Sequence, residues 1–136
     1  MNMKFKKFAA CLMATASLVT GMVGMSASAV EPRYGGYDND TYNGASIEKY
    51  IDCSKSVAGG YTKCDSVNCS YAYIDVTAYH SSTGYKWDYF YVTRGKASVY
   101  VAPDSGKSFR NATTRHIVTV SGSQKELTGM SASAGL

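Results

Sequence analysis

Apolar and polar positions alternate with a period of two through much of the chain, most clearly between Cys69 and Ala102. Successive side chains of a strand point to opposite faces, so this period predicts strands rather than helices. From Cys69 to His80 the even positions Ala72, Ile74, Val76 and Ala78 make a small apolar face expected to point inward. The odd positions Tyr71, Tyr73, Asp75, Thr77 and Tyr79 make the other face. After a turn at Ser81–Gly84, Tyr85, Trp87, Tyr89, Tyr91 and Thr93 alternate with Lys86, Asp88, Phe90 and Val92. Arg94-Gly95 reads as a two-residue hairpin, and Lys96–Ala102 then sets Ala97, Val99 and Val101 against Ser98 and Tyr100. The three segments together predict an antiparallel meander.

The flanking sequence extends the same pattern. Ser46–Ser54 places Ile47, Lys49, Ile51 and Cys53 on one face and Glu48, Tyr50 and Asp52 on the other. Gly60–Cys64 is a second short strand, Arg115–Ser121 a sixth carrying His116, Val118 and Val120 on one side, and Gln124–Met130 a seventh. Pro103-Asp104-Ser105-Gly106 has the chemistry of a type I or II turn, and Ser131–Leu136 reads as a small-residue tail. Residues 30–45 are turn-formers punctuated by tyrosines and are expected to be an irregular N-terminal arm. About seven short antiparallel strands without a convincing helix predict an all-β domain over residues 46–136. The favoured architecture is a two-sheet sandwich, immunoglobulin-like or related, and the alternative is a small closed barrel.

The N-terminus changes the charge argument. Lys4, Lys6 and Lys7 precede an uncharged apolar run that ends at Ala27-Ser28-Ala29, the pattern of a secretory signal peptide over residues 1–29 cleaved before Val30. The run's many small residues and its A-x-A end disfavour a transmembrane anchor, and Phe8-Ala9-Ala10-Cys11 lacks the leucine of a lipoprotein box. The expected product is a secreted, extracellular protein without stable membrane insertion. The full chain has 14 basic and 10 acidic residues, but three of the lysines lie in the signal, leaving a net charge of +1. The basic excess therefore gives no reason to expect a nucleic-acid partner. The remaining 107 residues suit one domain that buries roughly 65% of its unfolded surface. Aliphatic residues are few, so aromatic rings are expected to fill much of the core.

The signal peptide, the aromatic strand Y-A-Y-I-D-V-T-A-Y, the tyrosine-rich hairpin and the late T-T-R-H-I-V-T-V-S-G segment together resemble small exported β-sandwich proteins of Gram-positive bacteria. Most such families have no assigned activity. The resemblance implies the sandwich and export, and it carries over no catalytic residue.

Chemistry-bearing residues are sparse. Cys53, Cys64 and Cys69 follow the signal, and in an exported protein one disulfide among them is expected. The spacing leaves the pairing open, with the odd cysteine available for an intermolecular bridge. Cys64 and Cys69 can pair only if Asp65–Asn68 turns tightly. A Cys₃His zinc site completed by His80 or His116 lacks a second short-spaced pair, and no metal or cofactor is expected. Asp38-x-Asp40 begins like an EF-hand, but Lys49 stands where the bidentate glutamate belongs. Asp75 and Asp88, a conceivable carboxylate pair, fall in opposite alternation classes of neighbouring strands, and no nucleophile or metalloprotease motif is present.

The aromatic residues remain. Tyr71, Tyr73, Tyr85, Trp87, Tyr89 and Tyr91 would share a face if the hairpin pairs in the simplest register. The competing reading is that these rings fill the core, and a one-residue slip would decide between the two. The functional expectation is a non-catalytic extracellular module that binds a cell-surface glycan or protein through this row. A secreted bacteriocin-like antimicrobial protein is the first alternative and a minor secreted hydrolase the second.

Overall fold

The computed structural model describes residues 34–135. The expected signal peptide and the first residues of the expected arm lie outside the described residues. Eight strands follow in order: β1 (Tyr34–Tyr42), β2 (Ala45–Cys53), β3 (Ala58–Cys64), β4 (Cys69–His80), β5 (Tyr85–Val92), β6 (Gly95–Val101), β7 (Phe109–Val120) and β8 (Ser123–Ser133). They form two four-stranded sheets, ordered β1-β2-β3-β6 and β5-β4-β7-β8. Every pairing is antiparallel. The domain is a two-sheet sandwich, not a closed barrel. In the immunoglobulin order the second and third strands lie in different sheets. Here β2 and β3 pair directly, so this is a related topology.

Three expectations are corrected. Residues 34–42 are not an irregular arm but edge strand β1, paired with β2 from Tyr34↔Cys53 to Tyr42↔Ala45. The turn is Asn43-Gly44, with φ of 49° and 80°. Positive φ at both central residues is the two-residue hairpin turn that Asn-Gly favours. Strand β1 is poor in β-formers because an edge strand is held by its neighbour's ladder and carries charges that discourage further pairing. Second, Arg94-Gly95 does not close a hairpin. β5 pairs with β4, whereas β6 pairs with β3 in the other sheet, so the chain turns a corner there. Crossing over buries Ala97, Val99 and Val101 and covers the edge of β3. Third, β7 starts at Phe109, within what reads as a polar connection. Its inward Phe109, Ala112 and Thr114 are buried among polar neighbours that face out.

The interior is built from small residues rather than from rings. One apolar cluster centres on Ile51, Ile74, Val76, Val99 and Phe109, and a second on Ile47, Cys64, Ala72, Val118 and Leu127. Between them lies a buried polar belt of Lys49, Thr62, Thr114 and His116. Small residues, chiefly Ala, Val and Thr, fill most inner positions of β4, β6 and β7, Phe109 adds one buried ring, and the tyrosines are left for the outside.

Candidate functional site: an exposed aromatic face

Strand β4 sits in the middle of its sheet, and its even residues Ala72, Ile74, Val76 and Ala78 are fully buried, as the alternation predicts. β5 pairs with it without a slip: Tyr73↔Tyr91, Asp75↔Tyr89, Thr77↔Trp87 and Tyr79↔Tyr85. Directly opposed residues share a face, so this register carries the odd residues of β4 from Tyr71 to Tyr79 and those of β5 to the outer surface, whereas Cys69, beyond a register shift, turns inward. Tyr85, Trp87, Tyr89 and Tyr91 are 61%, 50%, 43% and 54% exposed. Tyr71 and Tyr73 are half-buried beneath them. The reading in which these rings fill the core is overturned.

The rings touch in two groups, Tyr71, Tyr73, Trp87, Tyr89 and Tyr91 in one and Tyr79 with Tyr85 in the other. Tyr71 meets Tyr91 at 5.6 Å between centroids, Tyr73 meets Tyr89 at 5.9 Å, and Tyr79 meets Tyr85 at 6.1 Å. Along β5, Trp87 and Tyr89 are 5.4 Å apart and Tyr89 and Tyr91 6.4 Å. Aromatic pairs at such distances attract beyond their area burial. The six steps from Tyr85 to Tyr91 span about 20 Å at strand rise. Among the described residues no strand pairs with β5 on its other side, so the row lies along the rim of the sheet.

A charged cluster anchors the face. Asp75 is 6% exposed although it points outward, because Arg115 and Tyr73 cover it. Arg115 Nε donates to Asp75 Oδ2 at 2.9 Å, Arg115 Nη2 lies at 2.8 Å, and the Tyr73 hydroxyl donates to the same oxygen at 2.9 Å. The guanidinium also stands over the Tyr73 ring, 5.8 Å from its centroid. Burial, followed by the bond to Asp75, pushes the Tyr73 phenol up to about 12. Its hydroxyl therefore stays a donor at neutral pH. The hydrogen bond and charge of Asp75 raise Arg115 as well. Asp75 and Arg115 are direct cross-strand partners on β4 and β7, and opposite charges so placed stabilise the pair. The sequence reading missed Arg115. The available signal was its phase, since it alternates with inward-facing His116.

The other candidates are placed apart from this face. Asp75 lies outside the sheet and Asp88 is buried on the inner side, so the two do not flank a common substrate position. His80 is buried, stacks on Phe109 at 5.4 Å and accepts from the Asp104 backbone N–H at 3.3 Å. His116 is held in the belt between the Thr62 and Thr114 hydroxyls, each at 2.7 Å. Thr62 gives its proton to the Tyr73 carbonyl at 2.8 Å, so its oxygen accepts from His116 Nδ1–H. Thr114 then donates to Nε2, which defines the tautomer. Burial, reinforced by the charge of Lys49, lowers the imidazole to about 4, so it is neutral near pH 7. Asp38 and Asp40, the start of the EF-hand-like pattern, instead hold the Lys49 ammonium at 3.0 and 2.7 Å. Lys49 also donates to the Thr128 carbonyl at 3.0 Å. Among the described residues no group of three His, Cys, Asp or Glu side chains is arranged to hold a metal.

Comparison with protein-family models, with curated proteins and with solved structures finds no match for this chain.

Proposed function

We propose that this chain is a non-catalytic extracellular module that docks on a cell-surface glycan through the outer face of β4 and β5. The observation that carries the reading is the exposure of Tyr85, Trp87, Tyr89 and Tyr91 on one face of one edge strand. Single exposed apolar residues are ordinary, but a contiguous row marks an interaction surface. Ring faces stack on the C–H faces of sugars, while the phenol hydroxyls and Arg115 supply hydrogen bonds to sugar hydroxyls. The extracellular part of the reading rests on the pattern from Lys4 to Ala29.

The test compares wild type with Trp87→Ala on a glycan array and on isolated cell walls. A central aromatic anchor is worth about 2 kcal/mol or more, so binding should weaken about 30-fold or more. Trp87 is half exposed, so the variant should melt at nearly the same temperature as wild type. Glycan binding unaffected by Trp87→Ala would sink the aromatic-face reading. Capture of a protein instead of a glycan, lost in the variant, would keep the face and replace the ligand class. Killing of related bacteria by the purified protein, with no wall binding, would favour an antimicrobial role.

A further inference from the structure

Cys64 ends β3 in one sheet and Cys69 begins β4 in the other. Four residues join them, and they do turn tightly. The Cys69 backbone N–H donates to the Ser66 carbonyl at 2.9 Å, and the Asn68 N–H donates to the Ser66 hydroxyl at 3.3 Å. Both cysteine side chains enter the same apolar cluster, with Ala72, Val118 and Val120. Cys64 is fully buried and Cys69 is 5% exposed, the Cys69 thiol donates to the Tyr71 carbonyl at 3.5 Å, and no disulfide joins any of the three cysteines in this structure, so the expected bridge is not formed here. Cys53 belongs to the other cluster, on the far side of the polar belt, and its sulfur faces the Ser54 carbonyl at 3.8 Å.

We propose that Cys64 and Cys69 form an intramolecular disulfide that staples the two sheets at the β3–β4 corner, while Cys53 remains a thiol. Oxidation suits this site because it removes two S–H groups from apolar surroundings and introduces no polar group. In the finished sandwich, burial pushes the Cys64 thiol up to about 12, so little thiolate is present to react. The bridge therefore closes while the domain folds, in contact with a disulfide-bearing oxidant such as oxidised glutathione. One cysteine thiolate attacks a sulfur of that oxidant and displaces a thiolate. The second cysteine thiolate attacks the resulting mixed disulfide and displaces the other. Two protons and two electrons pass from the cysteines to the oxidant, which leaves as two thiols. The staple fixes the start of β4, the strand that carries Tyr71 and Tyr73 of the aromatic face.

Trypsin separates the possible pairings cleanly. Cleavage after Lys49, Lys55, Lys63 and Lys86 puts Cys53 in the peptide 50–55 and both Cys64 and Cys69 in the peptide 64–86. The protein exported by its host, or refolded with oxidised and reduced glutathione, is denatured, alkylated without reduction, digested and weighed. The expected result is a peptide 64–86 that takes up no alkylating agent and is lighter than its reduced form by two hydrogens, beside an alkylated peptide 50–55. A covalent link between the two peptides, or a peptide 64–86 alkylated twice, would overturn the proposal. As a second readout, a reductant should lower the melting temperature of wild type and of Cys53→Ala by several degrees. It should leave Cys64→Ala/Cys69→Ala unmoved, and a reductant without effect on wild type counts against the staple.

Discussion

His116 makes the fold sensitive to acid in a defined pH window, and the effect can be worked from its surroundings. The imidazole is fully buried and accepts at Nε2 from Thr114 while donating from Nδ1 to Thr62. Lys49 opposes its protonation, whereas Asp38 and Asp40 favour it, and burial outweighs both. The folded imidazole titrates at about 4, against 6.5 in an unfolded chain. As pH falls below about 6.5 the unfolded state takes up a proton that the folded state refuses, so stability falls with pH. The loss is complete near pH 4, where folded His116 also titrates. The gap corresponds to about 3 kcal/mol between pH 7 and pH 4, at about 1.4 kcal/mol per pH unit. Protonation would also force the Thr114 hydroxyl to turn away and find another acceptor. Urea unfolding of wild type and His116→Gln at pH 7, 6, 5 and 4 measures this, because glutamine does not titrate. Asp104, whose carboxyl is held low by Lys86, titrates in both proteins and cancels in the difference, and Asp38, held low chiefly by Lys49, differs only through its weak coupling to His116. The expected differential loss shifts the urea midpoint by about 1 to 3 M. Parallel pH profiles for the two proteins would refute the reasoning, whatever their offset at pH 7.

Two further perturbations probe the belt and the sheet. Lys49→Met should cost about 2–3 kcal/mol, because the methionine keeps most of the stem and Asp38 stays in water, but the buried Asp40 Oδ2 loses its ammonium. Replacing both carboxylates by Asp38→Asn/Asp40→Asn should cost more, since a buried ammonium is left without a counter-charge. The stability of that variant should rise with pH above neutrality as Lys49 sheds its proton, and denaturant titrations in which Lys49→Met is the worse of the two would reject this account. Gly60 lies in β3 where an added Cβ would run into the Tyr50 carbonyl oxygen of β2. Gly60→Ala should therefore lower stability by about 3 kcal/mol and the melting temperature by about 10 °C or more, read by circular dichroism, and an unchanged melt would contradict the close approach.

The aromatic row also sets a problem that the fold has to manage. β5 is an edge strand with large apolar rings, the kind of edge that invites pairing with another chain. The strand carries an inward-pointing carboxylate, Asp88, whose Oδ1 accepts from the Tyr89 backbone N–H at 2.9 Å. That contact occupies one of the amides of β5, and a buried charge on an edge strand discourages continuation of the sheet. At the opposite rim β1 carries Asp38 and Asp40, directed onto Lys49. Two of the four edge strands, β5 and β1, thus carry acidic side chains on their inner side.

Which residues alternate is a local property, and the sequence alone determined it. The phase of β2 from Ile47 to Cys53, the apolar face of β4 and the common class of Tyr85, Trp87, Tyr89 and Tyr91 follow from the period of two, which every strand must obey. The tyrosine row and the all-β class were legible for that reason, whereas the hairpin signal of Asn43-Gly44 went unread within a stretch whose polar composition looks like an irregular arm. What the period leaves open is the side on which the second sheet lies, and that decides whether the row is core or surface. The answer needed Ala97, Val99 and Val101 to cross into the other sheet and meet the small face of β4. The burial of Lys49 depends on Thr128, the tautomer of His116 on Thr62, and the covering of Asp75 on Arg115. Those partners are 79, 54 and 40 residues away along the chain. Only the tertiary structure brings them together, because contacts between distant strands depend on how the sheets pair and pack rather than on the alternation within any one strand.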